Sequence, residues 1–229
     1  MEADQADQAD LLDRPRRNFN PKKTRRYGRQ TFEPDQLVKY SPKWQYGRLY
    51  NFPFPGSHWQ PRMRSLVLSV DGGSRGNNRS DSKSRAAWGV FFGPDCRRNQ
   101  QGLLEQEAPQ TSSRAELEAV RKALGIIQSM RAEGELDGWR EIIIKLDSDY
   151  VARAMGEWIW SWERNGFMTR KGTPVEHGAV IREMNETLKS LEKDMAIRFW
   201  RVGREWNREA DALVNQALDD AADSGYGGS

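Results

Sequence analysis

Apolar residues fall into regular order only from Arg64 onward. Residues 66–70 read as a strand, residues 86–92 as a second after a polar turn over 77–84, and residues 102–107 as a third. The gaps are of hairpin length, which predicts three antiparallel strands in succession. Helical spacing then begins at Ser113 and puts Leu117, Val120, Leu124 and Ile127 on one face as far as Gly134. Ile142-Ile143-Ile144, continued by Lys145 and Leu146, has the pattern of a central strand covered on both faces. Two short helical stretches follow over about 148–155 and 158–164, then a helix over about 178–193, a last strand over 196–202 and a helix over about 208–221. Strands first, with helices and strands alternating afterwards, predict an α/β fold in which a mixed sheet carries helices on its faces.

Ahead of Arg64 the pattern changes in kind. Residues 1–10 repeat Ala, Asp and Gln, and Arg14, Arg16, Arg17, Lys22, Lys23, Arg25, Arg26 and Arg29 follow without hydrophobic periodicity. Residues 1–31 are therefore expected to be a disordered basic tail, serving as a nucleic-acid-binding arm, a nuclear import signal or simply a solvated end. Residues 32–63 set Pro34, Pro42, Pro53, Pro55 and Pro61 among aromatics such as Trp44, Tyr46 and Trp59. No regular helix fits there, and the aromatics are too many for a linker, so this extension is expected to wrap the domain or to hold a partner. A domain over residues 64–222 and a flexible end over 223–229 complete the chain.

Charge sharpens this division. The formal charge of +3 conceals 13 Lys and Arg against 7 Asp and Glu in residues 1–64, and 23 against 26 in the rest. Attraction to a polyanion thus falls mainly to the extension, while clustered acids account for much of the domain's negative charge. The one cysteine, Cys96, excludes an intramolecular disulfide and a cysteine-rich zinc site. No run approaches the roughly 20 apolar residues needed to cross a bilayer, and the start is unlike a signal peptide. A soluble, monomeric, intracellular protein without a membrane partner is expected, in nucleus or cytoplasm rather than mitochondrion.

Four carboxylates carry the candidate chemistry. Asp71 follows the first strand and precedes Gly72, Gly73 and Gly76, small residues that allow a ligand to approach the backbone closely; the plain alternative is an acid in a turn. Glu116 closes Ser113-Arg114-Ala115-Glu116, which also matches a capping box. Asp147 ends the apolar strand, where ligands gather in α/β sheets, yet it could equally cap the next helix. Asp211 lies early in the last helix, where the helix dipole favours an acid, and Asn207 is its plausible cap. Each is ordinary alone. Gathered at one sheet edge they would repel one another unless cations lay between them, which makes divalent metal binding and metal-assisted phosphodiester hydrolysis the first hypothesis.

In order, the pieces are Asp71-Gly72-Gly73-Ser74 with Asn77, Thr111-Ser112-Ser113-Arg114-Ala115-Glu116, Asp147-Ser148-Asp149-Tyr150-Val151 and Asn207-Arg208-Glu209-Ala210-Asp211-Ala212-Leu213. From about Leu66 to Leu218 this combination resembles the type 1 ribonuclease H family. The resemblance implies a ribonuclease H-like fold with a five-stranded mixed sheet, its first three strands antiparallel, flanked by helices on both faces. It implies that Asp71, Glu116, Asp147 and Asp211 hold two Mg²⁺ ions, with Mn²⁺ as a substitute, around the scissile phosphate of an RNA/DNA hybrid, leaving 5′-phosphate and 3′-hydroxyl ends on the RNA. Gly72, Gly73, Ser74, Asn77, Ser112 and Ser113 match hybrid-contacting positions, and small polar groups of this kind suit the reading of 2′-hydroxyls in a shallow minor groove. Thr111 matches a phosphate contact on the DNA strand. Tyr150 and Trp158 match aromatics lining the DNA-strand channel, Trp158 within a protrusion that carries Glu163 where a lysine is usual.

One departure stands out. Many relatives place a histidine just before the last acid, whereas this chain has Val202-Gly203-Arg204-Glu205-Trp206-Asn207, and its histidines are His58 and His177. Arg204 is there a candidate phosphate contact or a surface partner of Glu205 or Glu209. Two further readings stand beside the hybrid endonuclease: a nucleic-acid-binding module that kept the fold and lost catalysis, and a related nuclease acting on other nucleic acids. Four intact acids count against the first, since a binder gains nothing by repelling phosphates.

Overall fold

The computed structural model describes residues 17–21, 33–51, 60–61, 64–76 and 84–225. In chain order its elements are α1 (Pro34–Leu37), β1 (Val38–Ser41), β2 (Tyr46–Asn51), β3 (Gln60–Pro61), β4 (Ser65–Arg75), β5 (Arg85–Phe91), β6 (Gln100–Leu103) and α2 (Ser112–Ala132). They continue with β7 (Glu141–Leu146), α3 (Asp149–Arg153), a π-helical turn (Ala154–Trp158), α4 (Ile159–Arg164), α5 (Gly178–Leu191), β8 (Ala196–Arg201), a 3₁₀ turn (Arg204–Trp206) and α6 (Arg208–Gly225).

The alternation of β4 organises the rest, because successive strand side chains point to opposite faces. Leu66, Leu68 and Val70 join the main core with Leu117, Val120, Leu124 and Ile127 of α2, the stripe predicted from helical spacing. Val67 faces the other way, into a second cluster with Ile143 of β7, Trp200 of β8 and Val202. Along its edges β4 pairs antiparallel with β5 and parallel with β7, β5 pairs with β6, and β7 pairs parallel with β8. These are the five expected strands in the expected mixed arrangement.

Three more strands extend the sheet. β5 leaves β4 at Ser69, and β2 takes over that edge with Gly47 opposite Val67; β1 and β3 then pair with β2. Gly47 has no room for a side chain, since a Cβ there would lie 2.8 Å from the Val67 carbonyl oxygen. Among its described residues the proline- and aromatic-rich extension thus supplies these three strands and, against the expectation of no helix, the short turn of helix Pro34–Leu37, and its fully buried Leu37 and Leu49 cover Val67 and Ile143. Burial on both faces is what turns a segment without helical period into structure.

The basic stretch expected to be disordered also needs correction over residues 17–21, while its other cations lie outside the described residues. Asn18 bridges Phe199 of β8 in parallel: the Phe19 amide donates to the Phe199 carbonyl at 2.9 Å, and the Phe199 amide donates to the Arg17 carbonyl at 2.6 Å. Phe19 meets Trp200 edge-on, with ring centroids 5.1 Å apart. The Arg17 side chain is fully buried and forks onto Glu192, with Nε and Nη2 each 2.8 Å from a carboxylate oxygen. Its Nη1 donates to Asn185 Oδ1 at 2.7 Å, and its guanidinium lies 4.5 Å from the centre of a Trp160 ring. A planar, bidentate cation of this kind survives burial because its donors and charge are met.

Other boundaries shift for local reasons. β4 runs through Asp71-Gly72-Gly73 to Arg75, so Asp71 lies within a strand, paired with Gly89, rather than in a turn after it. The third strand comes earlier than expected, at Gln100–Leu103. Two predicted helical stretches are one helix interrupted by the π-helical turn. The last helix continues through Gly225, beyond the expected start of a flexible end. Among the described residues no helix is long and apolar enough to cross a membrane.

Replacing Arg17 by Ala leaves the Glu192 carboxylate buried without its partner, which should cost about 3–5 kcal/mol. Urea denaturation of the full chain at neutral pH measures this; a loss below 1 kcal/mol would mean that the fork adds nothing net.

Candidate active site

β4 and β7 are parallel, and Ser69 stands opposite Lys145. Extending that register by two residues brings Asp71 level with Asp147, just beyond the last residue of β7. Glu116 reaches this edge from α2 and Asp211 from α6, on opposite faces of the sheet.

Glycines let both helices approach. A Cβ at Gly72 would lie 2.2 Å from the carbonyl carbon of Ala115 and 2.2 Å from the amide nitrogen of Glu116. The close approach that the sequence suggested for a ligand is therefore made at Gly72 by the protein's own helix. On the neighbouring strand, a Cβ at Gly89, the partner of Asp71, would lie 2.8 Å from the Ala210 carbonyl oxygen and 2.9 Å from the Leu213 Cβ. Gly73 lies against Val214 of the same helix, 3.2 Å from such a Cβ to Val214 Cγ1.

The caps fall elsewhere than expected, which releases the acids. Thr111 caps α2, its hydroxyl accepting from the Arg114 amide at 3.3 Å, so no capping box from Ser113 engages Glu116. Ser148, not Asp147, caps α3 by accepting from the Val151 amide at 3.3 Å. The same Ser148 hydroxyl donates to Glu116 Oε2 at 2.5 Å. Asn207 is buried and ties three elements together: its Nδ2 donates to the Val70 carbonyl at 2.9 Å and to Asp147 Oδ1 at 3.3 Å, and its carbonyl accepts from the Asp211 amide at 3.1 Å. Asn215, one turn on, donates to Asp211 Oδ2 at 2.9 Å. Ser148, Asn207 and Asn215 were not singled out as site residues. The available signal was their spacing, Ser148 next to Asp147 and the two asparagines four residues on either side of Asp211.

Electrostatics follow from this crowding. The Asp71 carboxyl is pushed up to about 8, first by burial and then by the charge of Asp147, with smaller contributions from Asp211 and Glu116; the Gly72 amide opposes the rise. Burial also raises Glu116, helped by Asp147 and opposed by the Ser148 hydroxyl and by Arg204. Arg204 extends from the 3₁₀ turn to within 3.4 Å of Asp147 Oδ2 while its side chain stays 94% exposed, so it pairs with Asp147 rather than with Glu205 or Glu209. Asp149 turns away and pairs with Arg153 and Arg201.

Hard, anionic oxygens that are short of compensating charge match the donor preference of Mg²⁺. Among the described residues no group of three His, Cys, Asp or Glu side chains could hold an ion. That is compatible with Mg²⁺, which commonly uses one or two protein carboxylates and completes its shell with waters and substrate phosphate.

The other candidate residues lie around this edge. The hydroxyls of Ser74 and Ser112 are 3.0 Å apart and exposed, joining β4 to the start of α2, and Ser113 is exposed beside them. Tyr150 and Trp158 face each other with ring centroids 6.2 Å apart, and Trp162 follows Trp158 at 5.6 Å. The Tyr150 hydroxyl donates to the Glu176 carbonyl at 3.3 Å. Glu163 of the expected protrusion pairs with Lys189. Asn77 and His58 lie outside the described residues.

The sequence model of the RNase H family matches residues 63–219. The chain belongs to that family. A Ribonuclease H of Paracidovorax citrulli is 28% identical over 166 residues, which cover 69% of this chain and 97% of that protein. One from Halorhodospira halophila is 29% identical over 151 residues, covering 66% and 91% respectively. Among solved structures, LC11-RNase H1 isolated from compost is similar with a TM-score of 0.49 and 21% identity, covering 70% of this chain and 99% of that one. The RNase H family match begins at residue 63, so nearly all of the segment that adds β1, β2 and β3 precedes it. Both named relatives are bacterial, which lends no support to a nuclear role for the basic run.

Two outcomes follow. Gly72→Ala drives a Cβ into helix backbone and should cost roughly 3 kcal/mol, the upper range for overpacking, with loss of whatever activity depends on Glu116; unchanged stability and activity would show that α2 can withdraw freely. The raised Asp71 carboxyl favours the fold in its neutral form, so its contribution is complete below the ordinary carboxylate pKa of about 4 and is lost as pH rises through about 8. Asp71→Asn should therefore stabilise the metal-free chain at pH 9 by roughly 1–2 kcal/mol, a gain that shrinks toward pH 4. Thermal unfolding in EDTA across that range tests it, and a gain independent of pH would contradict it.

Proposed function

We propose that this ribonuclease H is an endonuclease that hydrolyses the RNA strand of RNA/DNA hybrids at Asp71, Glu116, Asp147 and Asp211, leaving 5′-phosphate and 3′-hydroxyl ends. The observation that carries the reading is the convergence of carboxylates from four separate elements on one sheet edge, where burial and the neighbouring acids push the Asp71 carboxyl up to about 8, as expected where cations would be needed to offset the charge. Two divalent cations, when bound there, supply an attacking water of lowered pKa and neutralise charge on the departing 3′-oxygen.

The chain's own residues have distinct tasks. Asp71, Glu116, Asp147 and Asp211 are the residues that would hold the cations, and the charges of the other three bear on Asp71. Ser148 orients Glu116, and Asn207 orients Asp147 while fixing the start of α6 to β4. These hydrogen bonds fix the orientation of Glu116 and Asp147. Arg204, exposed beside Asp147, offers a cation to a phosphate that displaces it from the carboxylate. The paired hydroxyls of Ser74 and Ser112 suit contact with ribose 2′-hydroxyls, as do Gly73, Asn77 and Ser113, while Thr111 suits a phosphate of the DNA strand. Tyr150 and Trp158 offer flat faces to the sugars and bases of that strand without sequence preference.

The test is cleavage of a labelled RNA/DNA hybrid, with double-stranded RNA and double-stranded DNA as controls, in Mg²⁺, Mn²⁺ and EDTA. The wild type should cut only the RNA strand of the hybrid and only with metal, and Asp147→Asn should lower kcat on the order of 100-fold or more. Hybrid binding without cleavage in either metal would make the chain a binding module, and cleavage of a control duplex would assign it to another nuclease activity.

A further inference from the structure

Residues 17–19 lie against the part of the helical protrusion where the helix is least regular. The π-helical turn Ala154–Trp158 sits between α3 and α4, and Trp158 ends it. Such turns carry one residue too many for the α-helical ladder and tend to persist where neighbouring groups hold them, often at functional sites. Here the neighbour is the N-terminal segment. Arg17 Nη1 lies 3.4 Å from the Met155 carbonyl oxygen, and Asn18 Nδ2 donates to Glu157 Oε1 at 3.1 Å. The Asn18 side chain occupies the space that Gly156 leaves open, since a Cβ on that glycine would fall 2.1 Å from Asn18 Oδ1. Just beyond the turn, the Arg17 guanidinium stacks on Trp160. Three successive residues of the turn, Met155, Gly156 and Glu157, are thus met by two residues from more than 130 positions away, and Trp158 comes next, facing Tyr150.

The segment is itself anchored from behind. Arg17 is locked by Glu192 and Asn185 of the α5 region, and the backbone is paired to β8. The anchored segment therefore bears on the turn that ends in Trp158, whose ring lies 6.2 Å from that of Tyr150.

We propose that Arg17 and Asn18 are positioning residues that brace the π-helical turn, set Trp158 against the DNA strand of the hybrid, and thereby determine how tightly substrate is held. This inference rests on the hybrid reading of the active site. Neither residue touches the carboxylates, so the brace acts on substrate binding and leaves the chemical step alone.

Three full-length variants test it. Arg17→Lys keeps the charge and loses the fork. Asn18→Ala removes an exposed side chain and its contact with the turn. Gly156→Ala displaces Asn18 from the opposite side while raising helix propensity, so a merely structural role predicts unchanged or improved behaviour. Each should raise KM for the hybrid, by on the order of tenfold for Arg17→Lys and severalfold for the others, with kcat within about twofold of wild type, because a displaced binding group costs affinity without altering the reacting atoms. Backbone amides of residues 155–160 should exchange hydrogen faster in all three at a temperature well below unfolding. Unchanged KM and unchanged exchange in Asn18→Ala and Gly156→Ala would overturn the brace, even if Arg17→Lys is less stable. Equal losses in kcat and kcat/KM would overturn it too. A wild type that fails to bind or cut the hybrid would overturn the active-site reading instead, and the exchange measurement would then decide alone whether the turn is braced.

Discussion

Two helices are able to touch the sheet because two adjacent strand positions have no side chain. Gly72 admits the backbone of α2 on one face and Gly89 admits α6 on the other, and Asp71 lies between them in the ladder. The helix starts must come this close for Glu116 and Asp211 to reach the strand end at all, since an ordinary side chain at either glycine would hold the helix off. Assembly of like charges is costly, and the energy for it comes from the apolar packing of α2 and α6 farther along the same helices. The site is thus stabilised from a distance: the core presses together groups that repel one another.

The fixed hydrogen bonds complete that logic. Asn207 and Ser148 each serve local backbone structure and a carboxylate at once, so the geometry of the site is tied to the geometry of the helix starts. A buried amide that bridges a strand carbonyl and an acid cannot move without loosening the start of α6. In the proposed reaction this pre-organisation would leave little rearrangement for the carboxylates when their charge is compensated.

What was legible in the sequence follows from how local each cause was. The stripe on α2 and the apolar run in β7 are short-range patterns, and both elements lie where the pattern put them. The proximity of the acids could be suspected from their order, and the charges of Asp147, Asp211 and Glu116 all bear on Asp71. The reason for Gly72 could not be read, because the atoms that fill its missing side chain belong to residues more than 40 positions later. The docking of residues 17–21 was hidden more deeply. A polar, arginine-rich stretch without period looks solvated until Glu192, Asn185 and Trp160 are known to surround Arg17. Buried charge is written in the partners, and those are scattered through the last third of the chain.

The parallel pairing of Asn18 with Phe199 has one more consequence. β8 lies next to β7 at the far side of the sheet, and an unpaired strand in that position presents a row of free amides and carbonyls that another chain can extend. The N-terminal segment satisfies the part of that row around Phe199, with Phe19 meeting Trp200 edge-on and Arg17 buried against Glu192, Asn185 and Trp160. The same few residues therefore keep the amide and carbonyl of Phe199 from being offered to another strand.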